Sequence, residues 1–173
     1  MNRLETPGAV RQRAARIRLA VFDVDGVLTD GRLLIDADGR ESKSFHVHDG
    51  HGLKALQAHG IRVAIISARR SDAVSHRMAE LGIRHVFQGE SDKPARLAEL
   101  CRELDVALAE VAYCGDDIAD LGCLRIVGLA CSVADAVPQA RAEAHWISGR
   151  AGGRGAVREL CELLLAQQST RRS

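Results

Sequence analysis

The chain has 173 residues, and its 24 Lys and Arg nearly balance its 23 Asp and Glu, for a net charge of +1. This length supports one ordinary domain with a sizeable core, and the neutral balance favours neither nucleic acid nor a membrane surface as a partner. Aromatic residues make up only 3% of the chain, which argues against a base-stacking surface. We therefore expect any anionic ligand to be a small molecule held by a local cluster.

The sequence also predicts where the protein works. No stretch approaches the roughly 20 apolar residues that a membrane-spanning helix needs, and the first 20 residues lack the apolar centre of a signal peptide. The five cysteines are odd in number and form no C-x-x-C pair, which favours buried reduced thiols over a disulfide framework. We expect a cytoplasmic protein.

Taken in chain order, a basic arm over residues 1–16, expected to be loose, precedes an alternation of apolar runs and segments of helical period. The apolar runs predict strands at 18–23, 62–67, 85–88, 111–114, 126–130 and 144–147. The periodic segments predict helices at 52–59, 72–81, 94–104, 118–124, 135–141 and 156–167. Strand–helix alternation of this kind predicts an α/β fold with a doubly wound parallel sheet.

Residues 31–47 interrupt the alternation. They contain two short extended runs on either side of Asp38-Gly39, which is a strong hairpin signal. We expect a small β-hairpin flap after the first strand, too small to be a cap domain. A glycine-rich segment, a helix and a polar tail fill residues 149–173, so that one domain spans residues 1–173.

Polar residues stand at the carboxyl ends of the predicted strands, where open parallel sheets bind their ligands. They are Asp23, Asp25, Ser67, Arg69, Lys93 and Asp116, the last within the stretch GDDIAD at 115–120.

Together these residues meet the needs of phosphoryl transfer, which are a nucleophile, a metal ion and donors for the phosphoryl oxygens. Asp23 could attack phosphorus, and Asp25 could protonate the leaving oxygen and then activate water. Asp23 and Asp116 could supply carboxylate ligands to Mg²⁺. Ser67 and Lys93 would bind phosphate oxygens.

Simpler interpretations of the same residues remain open. Acidic residues cap turns and favour helix N-termini, and Lys93, Arg69 and Arg77 could be solvated side chains. The glycines near residue 153 could serve simply to start the last helix, with no role at the site. His46 and His48 would share a face of an extended strand, but two ligands do not make a zinc site.

The order of these motifs resembles the haloacid-dehalogenase (HAD) phosphatase superfamily. The motifs are DVDGV at 23–27, Ser67 after an apolar strand, Lys93 opening a helix, and GDDIAD. Longer stretches such as FHVHDGHGLKAL, RVAIISARRSDAVSHR and GGRGAVRELCELLL are similar to those of the phosphatases of 3-deoxy-D-manno-octulosonate (KDO) 8-phosphate. The resemblance covers about residues 18–165. It implies a HAD-like Rossmannoid fold without a cap domain.

The resemblance also implies a role for individual residues. Asp23 would be the nucleophile and a magnesium ligand, Asp25 the acid and base that also binds Mg²⁺ through its backbone carbonyl, Asp116 the third metal ligand and Asp120 its support. Substrate contacts would fall on Asp25, His46, Val47, His48, Asp49, Gly50, Lys54, Arg69, Arg77, Lys93 and Arg154. These enzymes form homotetramers in which a neighbour's flap helps to close each site, and the segment around Arg154 would reach towards an adjoining site.

One departure concerns the second motif, where the family has Thr-Gly-Arg and this chain has Ser67-Ala68-Arg69. Serine keeps the hydroxyl, whereas the methyl group of Ala68 bears on the geometry of the loop. The expected activity is Mg²⁺-dependent hydrolysis of KDO 8-phosphate, a sugar acid phosphate, through an aspartyl-phosphate in lipopolysaccharide precursor synthesis. A nine-carbon 2-keto-3-deoxy sugar acid phosphate is the alternative substrate. A phospho-receiver module fits poorly because its phosphoacceptor is not on the first strand, and no length remains for a nucleotidyltransferase.

Overall fold

A computed structural model of the chain describes residues 3–169. The strands are β1 (Leu19–Phe22), β2 (Leu34–Ile35), β3 (Glu41–Ser42), β4 (Arg62–Ser67), β5 (His85–Gln88), β6 (Val111–Cys114), β7 (Leu129–Ser132) and β8 (Trp146–Ile147). The α-helices are α1 (Pro7–Ala14), α2 (Val47–Ala58), α3 (Asp72–Glu80), α4 (Lys93–Leu104), α5 (Leu121–Ile126), α6 (Pro138–Glu143) and α7 (Ala156–Ser169). Short 3₁₀ turns cover Leu108–Glu110 and Ile118–Asp120.

Six strands form one parallel sheet in the order β5-β4-β1-β6-β7-β8. The central strand β1 is buried along its whole length, as expected for an apolar run covered on both faces. Helices α1, α2 and α7 pack together as one layer, and α4, α5 and α6 as another. The predicted doubly wound α/β fold is confirmed. Among the helices of residues 3–169, none combines the length and apolar character that crossing a membrane requires.

Over residues 3–16 the N-terminal arm is not loose, contrary to the expectation for residues 1–16. Residues Pro7–Ala14 form α1, which begins with Thr6 as N-cap and buries Val10 and Ala14 against the core. Arg13 binds the Glu5 carboxylate through two nitrogens and donates to the Gly128 carbonyl at 2.7 Å. Arg13 thus helps to hold the arm on the core, which composition alone did not reveal.

Several predicted boundaries differ from the structure, and two of them lie beside glycines. The fifth predicted strand, expected at 126–130, is instead the end of α5 followed by β7 from Leu129, because the chain turns at Gly128, where a Cβ would lie 2.0 Å from the Ala109 carbonyl oxygen. Helix α2 begins at Val47 and not at residue 52. Gly50 and Gly52 hid its helical pattern, since glycine is a weak helix former.

The flap is present as an antiparallel hairpin of β2 and β3. Asp36 accepts backbone N–H bonds from Asp38 and Arg40, and Gly39 takes the left-handed conformation with φ +78°, as the predicted Asp-Gly turn requires. The hairpin ends earlier than the predicted flap, because Val47 already belongs to α2. Residues 170–173 of the predicted tail lie outside the described residues.

Candidate active site

The site lies at the carboxyl end of the central strands. In β-sheet register Phe22 is opposite Ile65 of β4 and Cys114 of β6, so the residues that follow these strands share one edge. Asp23 follows β1, and its N–H donates to the Cys114 carbonyl at 3.0 Å. Ser67 ends β4 and is buried there. The sheet therefore brings the first, second and fourth motifs together.

Lys93 carries the positive charge at the centre of this edge. It opens α4 behind its N-cap Asp92, and its Nζ lies 2.7 Å from Asp120 Oδ1 and 3.1 Å from Asp23 Oδ1. Burial alone would lower the pKa of Lys93, but the charges of Asp23 and Asp120 outweigh it and the pKa is raised. Lys93 is therefore a charged ammonium held between two carboxylates, not the solvated helix residue of the simpler interpretation.

Asp120 is fully used by the protein itself. Its Oδ1 accepts from Lys93 and, at 2.7 Å, from the hydroxyl of the buried Tyr113. Its Oδ2 accepts from the backbone N–H groups of Asp116 and Asp117 at 3.0 and 3.2 Å. Asp120 thereby fixes the loop that carries Asp116. This arrangement fits the supporting role that the family resemblance implied.

Asp23 and Asp116 present the oxygens that a metal ion would need. Oxygens of Asp23, Asp116 and Asp120 lie within 4.8 Å of one another. The buried Oδ1 of Asp116 accepts no hydrogen bond, and that of Asp23 faces the Lys93 ammonium at 3.1 Å. Gly26 permits the approach, because a Cβ there would lie 2.0 Å from Asp116 Oδ2. Hard divalent cations prefer such oxygens. The donor set fits Mg²⁺.

The electrostatics of the cluster agree with that fit. Burial and the charge of Asp120 raise the pKa of Asp23 to about 7, although Lys93 acts in the opposite direction. Burial, Asp120 and Asp23 raise the pKa of Asp116 to about 8. Both carboxylates are thus costly to ionise in the protein alone, and a divalent cation between them would remove that cost.

Asp25 faces a second group of charges, which the sequence analysis missed. Its Oδ1 contacts the ammonium of Lys43, which also lies 2.9 Å from Glu41 Oε1. Arg69 binds the other oxygen of Glu41, and its Nε lies 3.8 Å from Asp25 Oδ2. The available signal was the i, i+2 spacing of Glu41 and Lys43, which places both on one face of an extended strand.

The predicted substrate segment His46–Gly50 is helical, not an extended flap edge. His46 is the N-cap of α2 and accepts the N–H of His48 at 3.2 Å, and Val47 is 75% exposed. Asp49 is 1% exposed, and its Oδ1 accepts the N–H of Arg158 at 2.8 Å. Asp49 Oδ1 thus caps the first turn of α7, while its buried Oδ2 accepts no hydrogen bond. Substrate contact by Asp49 stays a prediction.

The remaining predicted contacts are cationic. Arg77 lies over Gly50, where a Cβ would come within 2.3 Å of its Nη2, and it pairs with Glu80 at 2.7 Å. Lys54 is exposed on α2. Arg154 pairs at 3.3 Å with Asp30 of its own chain, and its side chain is 63% exposed. Substrate contact by these residues stays a prediction.

Within residues 3–169, the group of Asp23, Asp116 and Asp120 is the cluster of at least three metal-ligating side chains that the structure brings together. The histidines His46 and His48, with ring centroids 5.0 Å apart, do not belong to such a cluster. The zinc interpretation therefore gains no support from the described part of the chain.

Comparison with known proteins identifies the relatives of this chain. A family model for haloacid dehalogenase-like hydrolases matches residues 49–128. The KDO 8-phosphate phosphatase KdsC of Yersinia pestis is 46% identical over 159 residues, which cover 92% of this chain and 85% of that protein. The corresponding protein of Escherichia coli K12 is 45% identical over 90% of this chain and 83% of its own length.

Solved structures of related proteins point to the same family. The KDO 8-phosphate phosphatase of Moraxella catarrhalis, crystallised with magnesium, phosphate and KDO, superposes with a TM-score of 0.93 at 43% identity and covers 95% of both chains. This chain belongs to the KDO 8-phosphate phosphatase family of the HAD superfamily. The cobalt-bound family member of Haemophilus influenzae has a TM-score of 0.88 at 39% identity, over 91% of this chain and 92% of that one.

Proposed function

We propose that the chain is a Mg²⁺-dependent phosphatase that hydrolyses KDO 8-phosphate to KDO and phosphate in lipopolysaccharide precursor synthesis. The observation that carries the proposal is the buried edge where carboxylate oxygens of Asp23 and Asp116 converge beside the ammonium of Lys93. A relative with 43% identity was crystallised with magnesium, phosphate and KDO, and phosphate and KDO are the two products of the proposed reaction.

The reaction divides into two displacements at phosphorus. The Asp23 carboxylate attacks phosphorus while the bond to the sugar oxygen breaks, and Asp25 gives its proton to that oxygen, so that KDO leaves. Asp25 then takes a proton from water, whose oxygen attacks the aspartyl-phosphate and releases phosphate and free Asp23. Ser67 and Lys93 donate to the phosphoryl oxygens in both steps.

Mg²⁺ would be held by Asp23, Asp116 and the backbone carbonyl of Asp25, and when bound it neutralises negative charge on the transferring group. For the sugar acid we propose contacts from Arg69, Lys54, Arg77 and Arg154. The beginning of α2 would contribute through His46, Val47, His48, Asp49 and Gly50.

We also propose a homotetramer in the cytoplasm. Leu33, Leu34 and Ile35 of the hairpin are between 47% and 62% exposed, and an apolar row on a sheet edge of this kind suits contact with a second copy. The cytoplasmic setting is supported by the five cysteines, which are all free and buried, as expected in a reducing compartment.

The decisive experiment measures phosphate release from KDO 8-phosphate and from a panel of sugar phosphates that includes a nine-carbon 2-keto-3-deoxy sugar acid phosphate, with Mg²⁺ and with a chelator. We expect Mg²⁺-dependent turnover with the highest kcat/KM on KDO 8-phosphate. A higher kcat/KM on the nine-carbon substrate would reassign the substrate, and turnover that survives the chelator would refute the metal-dependent mechanism.

A further inference from the structure

Lys43 is a buried cation on an otherwise exposed hairpin. Its side chain is 1% exposed, whereas that of Arg40, three residues earlier on the same hairpin, is 76% exposed. Lys43 follows β3 directly, and its ammonium contacts Asp25 Oδ1 and Glu41 Oε1. Taking an ammonium out of water is costly unless carboxylates surround it. Its position beside Asp25 therefore calls for an explanation.

The surroundings of Lys43 form a balanced group of two carboxylates and two cations. Asp25 presents Oδ1 to Lys43 and Oδ2 to Arg69, and Glu41 binds the same two cations with its own two oxygens. With a different cation on each oxygen, the Asp25 carboxylate cannot rotate without breaking a contact. These ion pairs also connect the hairpin to the loops that follow β1 and β4.

We propose that Lys43 is a positioning residue for the reaction. Its ammonium fixes the orientation of the Asp25 carboxylate, so that proton transfer by Asp25 depends on the position of the hairpin that carries Lys43. Lys43 itself transfers no proton and touches no reacting atom. The inference rests on the acid and base role proposed for Asp25. It gives the hairpin a part in the chemistry of its own chain, beyond the contact with a neighbour.

The test exploits the leaving group. Phenyl phosphate and p-nitrophenyl phosphate are similar in shape and lack the sugar acid, but phenolate is the poorer leaving group and needs the proton from Asp25 more. Because kcat/KM covers the steps up to release of the first product, the ratio of kcat/KM for p-nitrophenyl phosphate to that for phenyl phosphate reports the acid step alone. A direct contact with the sugar cannot change this ratio.

We expect Lys43→Met to raise the ratio about tenfold, a part of the 10²- to 10⁴-fold that general acids contribute. Lys43→Arg, which keeps the charge, should return the ratio to within about threefold of wild type. Arg40→Met, on the exposed side of the hairpin, should leave it unchanged. An unchanged ratio in Lys43→Met would overturn the proposal, since loss of phosphate binding or of general packing lowers both kcat/KM values equally.

Thermal unfolding of each variant shows whether it folds. If Lys43→Met does not, Glu41→Gln makes the same test, because it keeps the ammonium but removes the second carboxylate that holds it. We then expect a rise of about threefold in the ratio, and an unchanged ratio in the folded Glu41→Gln protein overturns the proposal. Wild-type turnover of KDO 8-phosphate in the same series tests the proposed function separately, since its absence refutes that function whatever the variants do.

Discussion

Asp23, Asp116 and Asp120 place three carboxylates around one ammonium, that of Lys93. Asp120 differs from the other two, because four hydrogen bonds from Lys93, Tyr113 and two backbone amides occupy its oxygens. Burial, together with repulsion from the neighbouring carboxylates, raises the pKa values of Asp23 and Asp116 to about 7 and about 8. The clustered carboxylates lower the stability of the metal-free protein, and the same carboxylates give the site its affinity for a cation.

Replacing Asp23 by Asn should abolish turnover while leaving the fold intact. The amide cannot act as the nucleophile, so we expect kcat to fall on the order of 10⁴-fold or more. The same change removes a buried negative charge, so the melting temperature in chelator should stay equal or rise. Phosphate release and thermal unfolding measure the two effects. Turnover near that of wild type would refute the role of Asp23, and a large loss of melting temperature would make it structural.

The stabilisation of the protein by Mg²⁺ should depend on pH. Because the pKa values of Asp23 and Asp116 lie above the usual 3.8, the metal-free folded protein binds more protons than the unfolded chain. Its free energy of unfolding therefore falls as the pH rises from about 4 through these pKa values. Mg²⁺ offsets the cost of ionising these carboxylates only at pH values at which they are ionised. It should therefore raise the melting temperature more at about pH 8 than at about pH 6.

The measurement is thermal unfolding with Mg²⁺ and with chelator at both pH values. Asp116→Asn is the matched control, because it removes one of the two titrating ligands and should greatly reduce the difference. An equal Mg²⁺ effect at both pH values in the wild type would contradict the assignment of these carboxylates as the ligands.

The sequence predicted the residues of the reacting centre better than those around it. Asp23, Lys93 and Asp116 follow strands whose ends must meet in a parallel sheet, so topology alone brings them together. The contact of Lys43 with Asp25 depends on how the hairpin folds back, and the capping of α7 by Asp49 depends on the packing of two helices distant in sequence. No local pattern encodes either.

At the scale of elements, the glycine-rich segment before α7 packs on the catalytic loop of its own chain. The Gly153 N–H donates to the Val27 carbonyl at 2.9 Å, and a Cβ on Gly152 would lie 1.7 Å from the Gly26 carbonyl oxygen. Backbone cannot yield as a side chain does. These glycines therefore do more than begin a helix, which was the simpler interpretation of the sequence.

Replacing Gly152 by Ala should push this segment off the loop between Asp23 and Thr29. We expect a loss of about 3 kcal/mol in the free energy of unfolding and a fall in kcat, since the loop carries Asp23 and Asp25. Gly149→Ala is the matched control, because a Cβ there meets the Glu159 carboxylate oxygens at 3.7 and 3.9 Å, which is ordinary contact. Denaturant unfolding and phosphate release measure both effects. Equal stability of the two variants would show that the close approach at Gly152 is not a constraint.

Helix α1 offers a prediction about the N-terminal arm. Val10 is 3% exposed within the core, so Val10→Ala should cost about 1–3 kcal/mol of unfolding free energy. Gln12→Ala, on the exposed side of the same helix, should change it by less than about 0.5 kcal/mol. If Val10→Ala is as stable as wild type in urea, the arm does not contribute to the core.

The presence and type of most elements were predictable from the sequence, whereas several of their ends were not. Strand β4 and strand β6 have the predicted bounds, because each is a short apolar run between polar residues. The run from Leu124 to Val133 is apolar almost throughout, and only the steric demand at Gly128 decides where helix gives way to strand. The arm was misjudged because a short basic segment with two buried residues has almost no hydrophobic periodicity.

At the scale of the whole molecule, the hairpin is held to the site on one strand and is exposed on the other. Lys43 and Glu41 attach one strand of it to the site, while Leu34 and Ile35 on the other strand stay exposed, by 56% and 62%. A hairpin of two short strands is marginal on its own. A second copy of the chain that covers the apolar strand would hold the hairpin, and thereby Lys43, in place.

Replacing Ile35 by Glu should therefore act on assembly first and on catalysis second. A carboxylate in the proposed apolar contact leaves a buried charge without a partner, which costs several kcal/mol per site, so sedimentation should show species smaller than those of the wild type. Because a released hairpin no longer holds Lys43 against Asp25, kcat on KDO 8-phosphate should fall as the assembly is lost. Ala37→Glu, in the exposed turn between the strands, carries the same charge and should leave mass and kcat unchanged. A monomeric wild type would show that the hairpin takes no part in assembly, and so would an Ile35→Glu protein with wild-type mass and kcat. In either case the contact of Lys43 with Asp25 would act within one chain.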